Sequence, residues 1–206
     1  ANIINYNIGR TPPTKESVYW DNDYNWVSIA DMIDGQYITT TKEKVSQYAF
    51  DKSFKGHIVP KETLIMSFKL TVGKVSILGI NSFHNEAIIS IYPIIDNNNS
   101  MRDYLFKFLP LISQNGNTKT AIKGNTLNTE SINNLLIPLP PLAEQKRIVE
   151  KLEDILPLVD EYGKNEEILS EMNQKLPKQI RQSILQYAVQ GKLVEQNPQD
   201  EPASEL

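Results

Sequence analysis

The feature that most constrains the fold of this 206-residue chain is a proline-rich segment at residues 138–141, followed by a long run of helix-forming residues. Proline has no backbone N–H and a fixed φ, so neither a strand ladder nor a helix continues through this segment. From Leu142 onward the residues favour a helix, with Glu144 in its first turn. Apolar residues then recur at spacings of four and three, at Ile148, Leu152, Ile155 and Val159. The chain is therefore predicted to change its architecture at about Leu142.

The apolar spacing continues far beyond Val159. Steps of four and three lead through positions 148, 152, 155, 159, 162, 166, 169, 173, 176, 180, 183 and 187, which we call the seam. Nine of these twelve residues are apolar or aromatic, which predicts a coiled coil whose seam is covered by a partner helix. The predicted interface residues are Ile148, Leu152, Ile155, Val159, Tyr162, Leu169, Leu176 and Ile180.

Two helical arrangements fit the residues after position 142. Pro157 and Pro177 each remove a backbone hydrogen bond, and residues 163–165 have the composition of a turn. One long helix and a hairpin of two shorter helices are both compatible with this pattern. Gly191 is predicted to cap the last helix, and the polar residues 193–206 are predicted to form a flexible tail or linker.

Residues 1–137 have the pattern of a β-rich domain. Runs at 63–68, 74–80 and 87–91 resemble strands and are separated by turn signals. A short helix with Thr41 as its N-cap is predicted within residues 40–48, and an amphipathic helix bent at Pro110 is predicted over residues 101–114. The predicted fold class is α+β: a mixed, β-rich globular domain (1–137), a helical region (138–192) and the tail (193–206).

The beginning of the chain combines a turn-rich loop with a cluster of aromatic residues. The aromatic residues are predicted to pack in the interior, and they are Tyr19, Trp20, Tyr24 and Trp26. The loop before them contains Gly9, two prolines and three polar residues that can face the phosphates of a nucleic acid: Arg10, Thr14 and Lys15. The alternative is that this segment only connects two structural elements.

Two further polar segments are candidates for nucleic-acid contact. The first lies between two predicted strands and contains Lys69, Thr71 and Lys74; the second, residues 115–124, contains Asn117, Lys119, Thr120 and Lys123. Long cationic side chains can reach a phosphate or a guanine edge, and hydroxyl and amide groups can read bases. Ordinary solvated surface residues are the alternative interpretation.

The charge of the chain is unevenly distributed. The net charge is −4, but residues 1–137 carry 13 Lys and Arg against 12 Asp and Glu, whereas residues 138–206 carry 8 against 13. The acidity therefore belongs to the C-terminal part. Nucleic-acid binding by the nearly neutral N-terminal part requires that its lysines gather on one face.

The sequence contains no set of residues that predicts catalysis. Cysteine is absent, which excludes disulfides and thiolate metal sites and fits a reducing cytoplasm. The segment 72–75 fails as a phosphate-binding loop because no Ser or Thr follows Lys74. His84 is predicted to be a turn residue rather than a metal ligand, because His57 is distant in sequence. A recognition module, not an enzyme, is the prediction.

Several strings in the chain resemble one known family. They are IPLPPLAEQKRIVEKL, QSILQYAVQGKLV and DEPASEL near the C-terminus, and Gly9-Arg10-Thr11-Pro12, Tyr19-Trp20 and Trp26-Val27-Ser28-Ile29-Ala30-Asp31-Met32 near the N-terminus. In this combination they resemble the specificity (HsdS) subunits of type I restriction–modification systems. A departure is Glu86, where the family often has glutamine.

The resemblance implies a target-recognition domain that reads one half of a bipartite DNA site, followed by a spacer helix that pairs antiparallel with a second helix. It also implies cytoplasmic partners: two methyltransferase (M) subunits, which bind S-adenosylmethionine and methylate adenine, and restriction (R) subunits, which can join them. Ala1 in place of methionine suggests a processed or excised chain. The chain is then either part of a longer two-domain subunit or a half-subunit that forms a homodimer. A coiled-coil adaptor that binds only protein is the competing hypothesis.

Overall fold

The computed structural model describes residues 3–115, 119–121, 124–126, 132–195, 197–199 and 201. The chain divides into two compact units, residues 1–151 and residues 152–206. Its strands are β1 (Ile4–Ile8), β2 (Tyr24–Val27), β3 (Gln36–Ile38), β4 (Glu43–Val45), β5 (Leu64–Ser67), β6 (Lys69–Leu70), β7 (Val75–Leu78), β8 (Ser82–His84), β9 (Ile88–Pro93), β10 (Lys119–Ala121) and β11 (Gly124–Thr126). Its helices are α1 (Gln47–Lys52), α2 (Ser100–Asn115) and α3 (Leu142–Val189), and Ser17–Tyr19 forms a 3₁₀ turn. Within the described ranges, no helix is long and apolar enough to span a membrane.

Five strands form the main sheet of the first unit, in the order β1-β9-β5-β7-β3. The three predicted strand runs are β5, β7 and β9, so this part of the prediction is confirmed. Strand residues alternate between the two faces of a sheet. Thus Leu64 and Met66 pack with Leu105 of α2, whereas Ile65 packs on the opposite face with Met32. Both faces are covered, which explains why β5 and β7 are buried along their whole length.

A smaller sheet, in the order β4-β2-β8, supports an aromatic cluster. Trp26, Val45, Ala49 and Phe83 are buried there, and Tyr19, Trp20, Tyr24, Phe50 and Phe54 pack against them. The rings of Trp20 and Trp26 meet edge to face with centroids 5.1 Å apart. The predicted interior position is therefore confirmed for Trp26, whereas Tyr19, Trp20 and Tyr24 are half-buried and pack against the cluster.

Two local predictions are wrong. Residues 43–45 form strand β4, not the start of a helix, and α1 begins only at Gln47. Its N-cap is Ser46, whose hydroxyl accepts a hydrogen bond from the Ala49 N–H at 3.2 Å, whereas Thr41 donates to the Glu43 carbonyl oxygen. His84 is likewise not a turn residue, because it lies buried in strand β8, whose pairing with β2 sequence reasoning did not foresee.

Helix α2 matches the predicted amphipathic helix and contains Pro110 within it. Its apolar face lies on the main sheet, where Met101, Leu105 and Leu109 are buried. Near its end, the Ser113 hydroxyl donates to the Pro110 carbonyl oxygen at 3.1 Å. Gly73 approaches this point so closely that a Cβ there would overlap the Ser113 side chain.

Helix α3 runs without interruption from Leu142 to Val189 and passes through Pro157, Gly163 and Pro177. The structure therefore has one long helix rather than a helical hairpin. Gly191 caps the end of the helix as predicted, with a φ of 66°. The Gly191 N–H donates to the Ala188 carbonyl and the Lys192 N–H donates to the Tyr187 carbonyl, which is the hydrogen-bond pattern of a Schellman cap.

Candidate nucleic-acid interface

The candidate loops of the first unit meet at one end of the main sheet. Strand β1 ends there, β9 begins there, and the connection from β5 to β7 turns there, because these neighbouring strands are antiparallel. We call this region, made of residues 9–15, 68–74 and 84–87, the loop end. It contains Arg10, Thr14, Lys15, Lys69, Thr71 and Lys74. The topology thus brings together six predicted site residues from two distant parts of the chain.

Hydrogen bonds fasten the three segments of the loop end to one another. The Arg10 N–H donates to the His84 carbonyl oxygen at 2.8 Å, and the Phe68 N–H donates to the Ala87 carbonyl oxygen at 3.0 Å. The Thr11 hydroxyl donates to the Glu86 carboxylate. The loop end is therefore a connected surface rather than three independent loops.

Two indole groups hold the first loop from below. Trp26 Nε1 donates to the Arg10 carbonyl oxygen at 3.1 Å, and Trp20 Nε1 donates to the Pro13 carbonyl oxygen at 3.0 Å. The side chains of Arg10, Thr14 and Lys15 are exposed. The loop therefore has a fixed main chain and freely accessible polar side chains, which suits contact with a large ligand.

A three-stranded sheet, in the order β10-β11-β6, extends from the loop end. Thr126 of β11 lies opposite Lys69 of β6 on one side and opposite Lys119 of β10 on the other, so these three residues form one row across the sheet. Thr120 lies in the neighbouring row, opposite Asn125. Asn117 and Lys123 are outside the described residues. The strand register thus joins the second polar segment to the first.

The lysines between β5 and β7 differ in their surroundings. The Lys69 ammonium lies 5.2 Å from the centre of the Phe68 ring, a distance at which a cation is attracted to the aromatic face. Lys74 Nζ donates instead to the Ile29 carbonyl oxygen at 3.4 Å, so one of its three N–H groups is engaged with the main chain. Thr71 is exposed at the turn between them.

Three residues of the loop end were not identified as site residues from the sequence. Thr11 and Glu86 are 75 positions apart in the sequence, so no local sequence pattern predicts their hydrogen bond. Glu86 also places a carboxylate among the cationic candidates. The His84 imidazole lies below the surface, where burial lowers its pKa to about 4 although main-chain bonds with Asn85 and Ile88 oppose the shift. It is neutral at pH 7 and adds no charge to the surface.

The second candidate surface is the seam of helix α3. Ile148 and Leu152 are half-buried, whereas Ile155, Val159, Tyr162, Leu169, Leu176 and Ile180 are exposed, with Tyr162 at 73%. Further apolar residues widen the exposed stripe on one side of the seam: Leu158, Ile168 and Met172. A row of this size facing water indicates an interface with another helix or helices.

Comparison with known proteins identifies the family. The family model described as "Type I restriction modification DNA specificity domain" matches residues 1–170. The chain belongs to this family. The match covers both the loop end and the first part of helix α3. It agrees with the family that the sequence motifs indicated.

Individual specificity-domain relatives agree with this assignment. The chain is 29% identical over 172 residues to the type I restriction enzyme MjaIX specificity subunit of Methanocaldococcus jannaschii, covering 80% of this chain and 38% of that protein. It is 36% identical over 96 residues to the EcoBI specificity subunit of Escherichia coli, covering 46% of this chain and 19% of that protein. This chain therefore matches well under half the length of these specificity subunits.

Solved structures share the fold. One is described as "Structural basis underlying complex assembly and conformational transition of the type I R-M system"; it superposes with a TM-score of 0.62 and 21% identity over 93% of this chain and 44% of its own. The HsdS subunit from Thermoanaerobacter tengcongensis gives a TM-score of 0.57 and 23% identity with the same coverages. The predicted specificity-subunit relationship and the predicted fold class, a mixed β domain followed by a long helix, are confirmed.

Proposed function

We propose that this specificity domain recognises one half of a bipartite DNA target within a type I restriction–modification complex. The observation that carries the proposal is the convergence of three polar segments on the loop end, in a chain of the DNA specificity family. The recognition domain corresponds to residues 1–137, the spacer helix to residues 138–192, and the tail to residues 193–206. The complex acts in the cytoplasm, where its DNA substrate lies.

In this proposal the residues of the loop end divide the work between phosphates and bases. Arg10, Lys15 and Lys69 contact phosphates and fix the position of the domain on the duplex. Hydroxyl and amide groups of the second polar segment (residues 115–124), among them Thr120 and Asn117, read base edges in a groove. Lys74 contributes less, because its ammonium is partly engaged by the Ile29 carbonyl. Lys119 and Lys123 of the same polar segment add positive charge, and Thr14 and Thr71 donate hydroxyl groups.

The chain itself is proposed to be non-catalytic. Methyltransferase subunits bind S-adenosylmethionine and carry out the methylation, and restriction subunits join for cleavage, while this chain selects the sequence. The exposed stripe of helix α3 supports such docking, because it is broader than one coiled-coil seam requires. Side chains within about 100° of the seam, such as Leu158, Ile168 and Met172, can meet a methyltransferase helix while the seam meets another helix.

We further propose that the seam pairs antiparallel with the seam of a second copy, which forms a homodimer. The two solved neighbours are more than twice the length of the part that this chain matches, so two copies supply about as much chain as one of those subunits. In an antiparallel pair, each recognition domain lies at one end of the helices. The dimer would then read two half-sites separated by a fixed spacer.

The experiment is selection of bound sites from random-sequence duplex DNA, with and without a cognate methyltransferase subunit. Enrichment of a short motif that depends on the methyltransferase subunit supports the proposal. The variant Lys15→Ala/Lys69→Ala removes two charges from the loop end, and Lys52→Ala/Lys61→Ala removes two charges elsewhere in the same unit. We expect only the first variant to weaken binding and to lower the salt slope by about two. A failure to enrich any motif favours the adaptor hypothesis.

The homodimer is tested separately with Ile155→Asp, which places a charge in the seam. The expected result is a shift to monomer in sedimentation, because each dimer would have to bury the charge twice. Ile168→Asp is the matched control outside the seam. A wild-type chain that is already monomeric at tens of micromolar would remove the homodimer from the proposal and leave DNA recognition untouched.

A further inference from the structure

We propose that the end of helix α3 from a second copy docks into an apolar groove at the start of helix α3, where Gln190 of that copy donates a hydrogen bond to Gln145. This inference rests on the proposed homodimer and gives it a defined register. The groove has a volume of about 540 Å³, and its lining includes Ile94, Ile95, Leu139, Leu142 and Gln145. We call it the base groove.

The base groove is bordered by apolar side chains that remain exposed to solvent. Ile95 is 71% exposed, and Ile94 and Leu139 are each about half exposed. These three side chains border one concave surface instead of being scattered singly, and contiguous apolar surface of this kind marks a binding site. The groove also adjoins the first turn of α3, so any chain that pairs with the start of this helix passes beside it.

Gln145 supplies the second observation. Its side chain is 1% exposed, and Nε2 donates to the Pro140 carbonyl oxygen at 2.8 Å. Its Oε1 has no hydrogen-bond partner among the described residues. A buried acceptor without a donor is costly, so the groove is suited to an apolar ligand that brings one N–H group.

The seam identifies the segment that brings this donor. The steps of four and three are symmetric about the midpoint of the seam. Two seams can therefore pair antiparallel so that the numbers of the two opposed residues always sum to 335, and every seam position then faces a seam position of the other copy. Ile155 then lies opposite Ile180, and Val159 lies opposite Leu176. The next seam position before Ile148 is Gln145, and the next after Tyr187 is Gln190. These two glutamines are therefore opposed in the same register.

The residues after Gln190 fit the groove by their chemistry. The Schellman cap at Gly191 ends the helix, and Leu193 and Val194 follow it. Leu193 is 51% exposed and Val194 is 74% exposed. Because Gln190 lies opposite Gln145 in this register, Leu193 and Val194 leave the end of one helix near the start of the other, where Pro141 and Leu142 line the groove. A second copy thus offers an amide donor and two apolar side chains in the order that the groove requires.

Cross-linking tests the docking, because the chain has no cysteine of its own. The full-length variant Ile95→Cys/Val194→Cys should form a covalent dimer under mild oxidation. Leu111→Cys/Val194→Cys is the control, since Leu111 is exposed on α2 outside the groove. The pair Glu166→Cys/Leu169→Cys, opposed at the centre of the seam, reports on helix pairing alone. Cross-linking at the seam centre without cross-linking at the groove overturns the docking but keeps the homodimer, whereas cross-linking at neither overturns both.

Amide variants test the hydrogen bond. Gln190→Leu should weaken dimerisation on the order of 30-fold, because each dimer contains the bond twice. Gln182→Leu, outside the seam, should leave the dimerisation constant unchanged. In Gln145→Leu/Gln190→Leu, apolar groups replace both partners and much of the loss should be recovered. A Gln190→Leu protein that dimerises like the wild type would show that these amides do not pair.

Discussion

The indole N–H of Trp26 donates to the carbonyl oxygen of Arg10 at 3.1 Å, which connects the buried aromatic cluster directly to the exposed first loop of the loop end. Trp26 is 5% exposed, so its ring position is fixed by packing, and the Arg10 main chain is fixed with it. A residue of the core thereby positions a residue proposed to contact DNA. Trp26 is therefore expected to contribute both to the stability of the fold and, through the Arg10 main chain, to the proposed DNA contact.

Trp26→Phe should destabilise the fold modestly and weaken DNA binding. Loss of the hydrogen bond costs about 1 kcal/mol, and the smaller ring adds to the cost. Tyr24→Phe is the matched control, because it removes the bond from the Tyr24 hydroxyl to Gln47 in the same cluster, away from the loop. Urea unfolding and a DNA-binding titration measure the two effects. Equal loss of binding in both variants would show that stability alone is responsible.

Gly73→Ala should be clearly more damaging than Gly35→Ala. Both glycines have positive φ, 84° and 71°, so each alanine costs about 1 kcal/mol of backbone strain. A Cβ at Gly73 would also overlap Ser113, whereas a Cβ at Gly35 meets no atom within 4 Å. The overlap adds about 1–3 kcal/mol. Equal unfolding free energies for the two variants would contradict the close packing of this loop on α2.

Which features the sequence could reveal follows from the range of the interactions involved. The strands at 63–68, 74–80 and 87–91 and helix α2 are confirmed, because their apolar patterns are local. Helix 40–48 was wrong because β4 pairs with β2, about 20 residues earlier. The loop end depends on β1 pairing with β9, across more than 80 residues, so its assembly could not be read from any local pattern. The strings of the helix sufficed for the family because they are long and contiguous.

Acid should destabilise the fold partly through His84. Burial lowers its folded-state pKa from 6.5 to about 4, so the unfolded chain binds the proton more readily. The contribution to stability is complete above pH 6.5 and is lost as the pH falls towards 4. It amounts to about 3 kcal/mol at most.

The difference between the wild type and His84→Gln in urea unfolding at pH 7.5, 6 and 5 isolates this contribution, since other groups titrate in both proteins. The control variant is His57→Gln, which removes an exposed imidazole elsewhere in the chain. A His84→Gln protein whose stability falls with acid as steeply as that of the wild type would mean that the histidine is accessible to protons in the folded state.

The length of helix α3 should determine the spacing between the two DNA half-sites. The helix is continuous across residues 167 and 168, which form the midpoint of the seam. Inserting seven helix-forming residues there preserves the heptad pattern and lengthens each helix by about 10 Å, equivalent to about three base pairs. The insertion should lengthen the non-specific spacer by two to four base pairs and leave both half-site sequences unchanged. Three base pairs rotate the DNA by about 100°, whereas seven residues rotate the helix by only about 20°, so affinity should fall.

A four-residue insertion at the same place, which breaks the seam register, is the control and should weaken dimerisation. Mapping of methylated sites in the reconstituted complex decides the outcome: an unchanged spacer in a dimeric seven-residue variant would show that another element measures the distance.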